Sequence, residues 1–278
     1  KSVARTLLAK IYAEKPLRDY TKVIQYCDEV KADGFDLVDD FSDLFGMNAA
    51  GTDAKMRNTK ESILEAQFTS GAGNWCTWMF GRDLVNWNNN FTWAKWVTPS
   101  RDLISAFKQE GDEVRFKESI VYYDCNWSNY YPSDNYPFMY KCRSANSSII
   151  KYRYADVLLL KAEALIMQDT PDLEGAADII DEVRDRAKLG ALPTSVRSNK
   201  NVLLNALLKE RRLELAFEGQ RWFDLVRLDK VEEVMNAVYA KDSGRKAQIY
   251  TFDKNSYRLP IPQSVIDAND KIHQNPGY

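Results

Sequence analysis

The feature that most limits how this chain can fold is a set of apolar stripes at helical spacing that arrive in pairs, each pair broken in its middle by proline or glycine. Over residues 152–168, Ala155, Leu158, Leu159, Ala162, Leu165 and Ile166 recur at i, i+3, i+4 and i+7, which places them on one face of an α-helix. Thr170 and Pro171 interrupt the pattern, and Leu173, Ala176, Ala177, Ile180, Val183 and Ala187 resume it over 172–188, with Gly190 as the stop. Proline suits the first turn of a helix and glycine its end. Residues 3–12 and 20–31, separated at Pro16 and closed by Gly34, read as a second such pair, and 199–217 and 221–239, separated at Gly219, as a third. Helix–turn–helix units of about 34 residues with small residues at the crossings predict tetratricopeptide-like pairs that stack in space although they are separated in sequence.

Residues 35–150 behave differently. Helical periodicity there is confined to 99–110, and 61–68 read as a short strand. The remainder is rich in Asn, Ser, Gly and aromatic residues. An irregular stretch of this length within a compact chain is functional or disordered, and its aromatic content argues for order. The expected organisation is one domain over 1–278, comprising a helix pair at 1–34, an irregular aromatic-rich loop region at 35–150 and a helical C-terminal region at 151–278. The fold class is mainly α, with a few short strands.

Several chemistries are excluded or disfavoured. With 38 basic and 40 acidic residues the net charge is -2, so no basic excess exists to neutralise a phosphate backbone and nucleic acid is not an expected partner. No apolar run approaches the roughly 20 residues that span a bilayer. The sequence opens inside a helical pattern with no cap or signal segment, which leads to the expectation of a longer protein whose targeting segment lies upstream. Its one histidine is His273, which rules out a multi-histidine metal site. No phosphate-binding or dinucleotide glycine motif occurs. No cofactor, metal or catalytic residue is expected. Cys27, Cys76, Cys125 and Cys142 form no CxxC pair and match no zinc spacing; buried thiols are the simplest reading, with a Cys125–Cys142 disulfide as the oxidised alternative. Paired carboxylates for glycoside hydrolysis are defined by spatial separation, so a glycosidase stands as the least favoured reading.

The tryptophans point to a ligand class. Six of the seven fall between positions 75 and 127, among Asn74, Asn86, Asn88, Asn89 and Asn90 and followed by Tyr122, Tyr123, Tyr130, Tyr131, Tyr136, Phe138 and Tyr140. From 71 to 100 only Arg82, Asp83 and Lys95 carry charge. Sugar rings present flat C–H faces that stack on aromatic faces, and their hydroxyls pair with Asn, Asp and Arg. Any one tryptophan is more often core than site, yet the cluster occupies the least regular part of the chain, where loops project. The expected contacts are Trp75, Trp78, Trp87, Asn88, Trp93, Trp127 and Tyr130. The competing reading makes these aromatics core in a helical-repeat protein–protein interaction module.

A second cluster lies on the helix at 199–217. Arg211 falls within the stripe of Leu204, Leu207, Leu208 and Leu215, so it requires a carboxylate partner. Glu214 and Glu218, three and seven residues on, are the nearest on that face. A buried structural ion-pair network of Arg211, Glu214 and Glu218 is favoured over a catalytic site.

Three stretches carry a family resemblance. Residues 152–164, YRYADVLLLKAEA, resemble the helix that opens the C-terminal region of SusD/RagB proteins. ERRLELAFEGQRWFDL at 210–225 resembles that family's ERRxELAFEGxRWFDL segment, and LPIP at 259–262 followed by QNPGY at 274–278 resembles its C-terminal end. Val265 stands where the family usually has an acidic residue. The resemblance implies a SusD-like α-helical fold on tetratricopeptide-like pairs, and a lipoprotein on the outer face of the outer membrane of Bacteroidetes. Its lipidated cysteine would lie in an N-terminal half outside this sequence. The expected partners are an oligosaccharide or polysaccharide and a SusC-like TonB-dependent transporter, with peptides or other nutrients as alternative ligands. The matching stretches are scaffold motifs, so no ligand contact is carried over from them.

Overall fold

The computed structural model describes residues 1–69, 73, 74, 76, 98–125, 131–241 and 251–278. The chain divides into two compact units, Lys1–Arg221 and Trp222–Tyr278.

In the first unit, α1 (Ser2–Ala13) and α2 (Tyr20–Ala32) form an antiparallel pair across a short 3₁₀ turn at Lys15–Leu17, where Pro16 sits. The Tyr12 and Tyr26 rings stack at 5.9 Å between the two helices. Next come α3 (Ser42–Phe45), β1 (Ser62–Ala66), α4 (Arg101–Glu110), α5 (Glu113–Ser119) and a hairpin of β2 (Ile120–Tyr123) and β3 (Tyr136–Met139). The strand β4 (Ile149–Arg153) returns antiparallel to β1 and leads straight into α6 (Tyr154–Met167). α7 (Leu173–Arg186), α8 (Thr194–Arg197) and α9 (Lys200–Glu214) complete the unit.

α6 is the centre of the core. Eleven of its residues are buried, on every side of the helix, which is the pattern of a helix enclosed by neighbours. It packs against α1, α2, α7 and α9. Ala155, Ala162 and Ala164 have no exposed surface and let those helices approach closely; Leu159, Ile166, Ile180, Leu203 and Leu207 fill the space between. The two helix pairs therefore stack side by side, as the periodicity predicted, and the fold is mainly α, with two two-stranded sheets among the described residues.

Caps set the helix limits. Asp19, Ser100, Asp112, Asp172 and Asn199 each accept a backbone N–H from the first turn of the helix they precede. At the C-termini Gly34 takes the left-handed conformation after α2 as expected (φ 94°), but the later stops differ from those expected. α7 closes on Lys188 (φ 61°) instead of Gly190, with Leu189 N–H donating to Arg184 O. α9 stops at Glu214 instead of Phe217, and Phe217 itself has φ 66°. The predicted helix over 221–239 is two helices, α10 (Arg221–Arg227) and α11 (Val231–Lys241). Asp229, at φ 55°, closes the first of them, with Lys230 N–H bonded to Leu225 O. Residues 152 and 153, expected to be helical, belong to β4.

In the second unit, Phe252 packs between Trp222 and Tyr239, and the Asn236 side-chain amide bonds both its N–H and its carbonyl at 2.9 Å. The chain's end clasps the segment before α12 (Gln263–Asp267). Gln274 pairs with both backbone groups of Ile261, Asn275 donates to Leu259 O, and the Tyr278 hydroxyl donates to Arg258 O. Gly277 has φ 96°, and a Cβ there would meet Asn255 Cβ at 2.6 Å. Those contacts give the QNPGY ending a physical meaning.

Leu159→Ala tests the central role of α6. Its side chain is wholly buried, so the substitution is expected to cost about 3 kcal/mol, read as a lower urea midpoint at unchanged slope.

Candidate functional site

The irregular region is fastened to the helices by buried charge. Pairing of β1 with β4 brings Glu61 beside Arg153. Arg153 donates to Glu61 Oε1 at 2.7 Å, to both oxygens of Glu218 at 2.7 and 2.8 Å, and to Glu214. Glu214 also accepts from Arg115 at 3.0 Å and from Arg186. Arg115 in turn holds Asp112 at 2.6 Å and Glu210. Lys141, directly after β3, donates to Glu218 at 2.6 Å and to the Glu214 carbonyl at 2.9 Å. Arg143 reaches back to Glu118 on α5. This charge therefore ties α5, the β2–β3 hairpin and the β1–β4 pair to α7 and α9.

Arg211, expected beside Glu214 and Glu218, donates instead to Asp156 Oδ1 at 2.8 Å, and Lys10 holds the other oxygen at 2.6 Å. The helical spacing placed Arg211 on the buried face but could not supply a partner from α6, 55 residues away. Glu214 and Glu218 engage Arg115, Arg153, Arg186 and Lys141.

The titration of these groups follows from their surroundings. Burial alone would raise Glu214, but Arg186, Arg153 and Arg115 overcome it and hold the carboxyl well below its ordinary value. Asp156 and Glu218 are lowered in the same way, by Lys10 with Arg211 and by Arg153 with Lys141. Burial dominates at Lys141 and takes its ammonium down to about 8. It also raises Glu210 and Asp112.

The expected ligand contacts Trp75, Trp78, Trp87, Asn88, Trp93, Trp127 and Tyr130 lie outside the described residues. Their flanks are described, and each is anchored to the β2–β3 hairpin or to the turn that follows it. On one side of the tryptophan-rich stretch, Asn74 N–H donates to Ala145 O at 2.7 Å, and its side-chain amide donates to the carbonyls of Ser144, Ala145 and Ser147. A Cβ on Gly73 would stand 2.9 Å from Ala145 Cβ. On the other side, the Thr98 hydroxyl is bonded to Tyr136 OH, and Pro99 O accepts from Tyr131 OH at 2.7 Å. The Arg101 guanidinium lies 4.9 Å from the centre of the Tyr131 ring. Cys125 and Tyr131 flank the second tryptophan-bearing stretch, 126–130, and Cys125 N–H donates to Ser133 O at 2.6 Å. Tyr131, Tyr136 and Phe138 stack edge to face beneath these flanks. Asn74, Tyr136 and Phe138, which the sequence grouped with the ligand-facing aromatics, are buried framework. Asn74 and Tyr136 find their hydrogen-bond partners, the 144–147 carbonyls and the Thr98 hydroxyl, far along the sequence, where no local pattern reveals them.

Two measurements test the charge framework. Arg211→Ala leaves Asp156 buried with Lys10 alone and is expected to cost about 3 kcal/mol; an unchanged denaturation midpoint would refute the pairing. Asp156, Glu214 and Glu218, whose native values are lowered, contribute stability that is complete above the unfolded-state carboxylate values and lost as pH falls through the native ones. Glu210 and Asp112, raised by burial, oppose that trend. The expected net result is a urea midpoint that falls steeply below about pH 4, against one that holds level to pH 3 if the ion pairs contribute nothing.

Among the described residues, no helix is long and apolar enough to cross a membrane. A model of the SusD family matches residues 131–278. A SusD-like protein, P2, from Formosa agariphila is 36% identical over 143 residues, 49% of this chain and 27% of that protein. A SusD superfamily protein from Parabacteroides distasonis superposes with a TM-score of 0.72 at 22% identity, over all of this chain and 63% of the other. A laminarin binding SusD-like protein gives 0.71 at 24% identity, over all of this chain and 62% of its own. The chain thus spans under two thirds of these relatives. With the family model covering more than half of its residues and the same fold found along its whole length, the chain belongs to the SusD family.

Proposed function

We propose that this chain is part of a cell-surface lipoprotein that captures glycan and delivers it to a SusC-like TonB-dependent transporter in the outer membrane, as a binding protein and not as an enzyme. The observation that carries the reading is that the flank of the 77–97 stretch at Thr98 and Pro99 and both flanks of the 126–130 stretch meet at one hairpin, while the flank at Asn74 is held by the 144–147 turn that follows it. That hairpin is fixed to the helical scaffold by Lys141 and Arg115. Aromatic faces supplied from rigidly held flanks, with amide groups among them, suit sugar rings. Stacking on aromatic faces gains energy at lower entropic cost when the chain that carries them is anchored at its flanks. A structural relative is described as laminarin binding, which supports a carbohydrate ligand and makes laminarin the first compound to try.

The test is calorimetric titration of the purified protein with laminarin and a panel of plant and host oligosaccharides. Saturable binding to one class is expected. Trp78→Ala, Trp87→Ala, Trp93→Ala and Trp127→Ala are each made separately, and at least two of them are expected to weaken binding about tenfold, the loss of roughly 1.4 kcal/mol of stacking and burial, with melting unchanged. Silence across the panel would overturn the glycan reading and turn attention to peptides. Loss of folding in all four variants would return the tryptophans to a core.

A further inference from the structure

Two cysteines meet at the entrance to the tryptophan-rich stretch. Asn74 holds the chain against the 142–147 turn through four hydrogen bonds to its carbonyls, and Cys76 follows two residues later. The Cys142 thiol lies 3.2 Å from Asn74 Oδ1 and within hydrogen-bond reach of the Cys76 sulfur as well. The two differ in access: Cys76 is partly exposed, whereas Cys142 is buried. The other two cysteines are differently placed. Cys27 is enclosed in the helical core, where burial pushes its thiol up, and Cys125 packs with Tyr136 and Phe138. The Cys142 neighbour is thus Cys76, whereas both members of the Cys125–Cys142 pairing considered from sequence carry free thiols.

We propose that Cys76 and Cys142 are a reversible disulfide site that clasps the chain entering the tryptophan-rich stretch to the 142–147 turn. The chemistry is ordinary thiol–disulfide exchange with a disulfide oxidant, RSSR, either a small molecule or a dithiol oxidase. Cys76 as thiolate attacks one sulfur of RSSR, forming a mixed disulfide and releasing RS⁻. Cys142 gives up its proton and attacks the Cys76 sulfur, and the second RS⁻ leaves. The two cysteine sulfurs lose two electrons, the oxidant gains them, and the two thiol protons finish on two RSH. The Cys142 hydrogen bond, assisted by Lys151, brings the Cys76 thiol down to about 6, so the exposed member is the nucleophile at neutral pH and the buried member the resolving thiol. The link would close a loop across the whole tryptophan-rich stretch, restraining the unfolded chain far more than the native one. The proposal is independent of the ligand the protein takes.

The test uses the purified protein, first fully reduced and then equilibrated with oxidised glutathione. Thiol titration under denaturing conditions should fall from four groups to two. Peptide mapping without reduction should join the peptide of Cys76 to that of Cys142, and the melting temperature should rise by roughly 5–10 °C and return on reduction. Cys76→Ser and Cys142→Ser should each abolish the crosslink, whereas Cys27→Ser and Cys125→Ser should retain it. Four titratable thiols after oxidation, or a crosslink that contains Cys125 or Cys27, would overturn the assignment. Because the readouts are thiol count, connectivity and melting, failure of the glycan titration would leave this result standing, and the reverse.

Discussion

Glu214 sits with no exposed surface between three guanidinium groups, and the rest of the first unit is arranged so that this carboxylate can be there. A buried carboxylate without partners would cost many kcal/mol. Here Arg115 arrives from α5, Arg153 from the end of β4 and Arg186 from the end of α7, three segments that are far apart in sequence. Glu61 and Glu218 take up the remaining charge of Arg153, and Glu61 takes that of Arg186 as well. Such a network is a weak source of net stability, since well-packed apolar groups could do as much. Its effect is on geometry. An apolar contact tolerates sliding, whereas a fork of guanidinium hydrogen bonds on a carboxylate has few acceptable positions. The strand pair, the hairpin and two helices are thereby held in one register.

That rigidity matters because the flanks of the two tryptophan-bearing stretches have little regular structure of their own. The flank at Asn74 is held by backbone carbonyls of the 144–147 turn, and the flank at Thr98 by tyrosine hydroxyls of the hairpin. Both depend on the hairpin and turn that Lys141 and Arg143 pin to α5 and α9. A binding surface on irregular chain gains affinity when its attachment points do not move, because less entropy is lost on capture. The charge network and the proposed ligand stretches are in this sense one mechanical system: helices, then ion pairs, then hairpin, then loop flanks.

The helix pairs were legible in the sequence because their signal is local. A stripe at i, i+3, i+4 and i+7 reports burial of one helix face, whatever covers it. The strand at 62–66 was legible for a similar reason. Helix ends were read less well: Lys188 and Asp229 take the left-handed conformation that the reading reserved for glycine, and each forms the same backbone bonds glycine would. The β2–β3 hairpin was missed because Tyr122, Tyr123, Tyr136 and Phe138 attract attention as aromatics before they register as strand residues. The partner of Arg211 was misassigned because a helical wheel offers only neighbours from its own helix. The ligand-facing residues named from sequence lie outside the described structure, so for the candidate site it is the attachment that can be compared, and that attachment rests on contacts between residues 30 to 75 positions apart.

The stretches that resemble the SusD family supply most of this framework. Arg153 and Asp156 belong to the first stretch, and Glu210, Arg211, Glu214 and Glu218 to the second, while Gln274, Asn275, Gly277 and Tyr278 of the third clasp the second unit. Each has a physical reason to be specific in sequence, because a buried charge or a backbone clamp accepts few substitutes. Under the proposed reading the tryptophan-rich stretch follows the opposite logic: a stacking platform requires an aromatic face, and many sequences can provide one. A chain of this kind is therefore recognised by its scaffold, whereas in the proposed reading its ligand is chosen by the tryptophan-rich stretches. Family membership fixes the scaffold, and under the proposed reading the identity of the sugar has to be read from the tryptophan-rich stretches themselves.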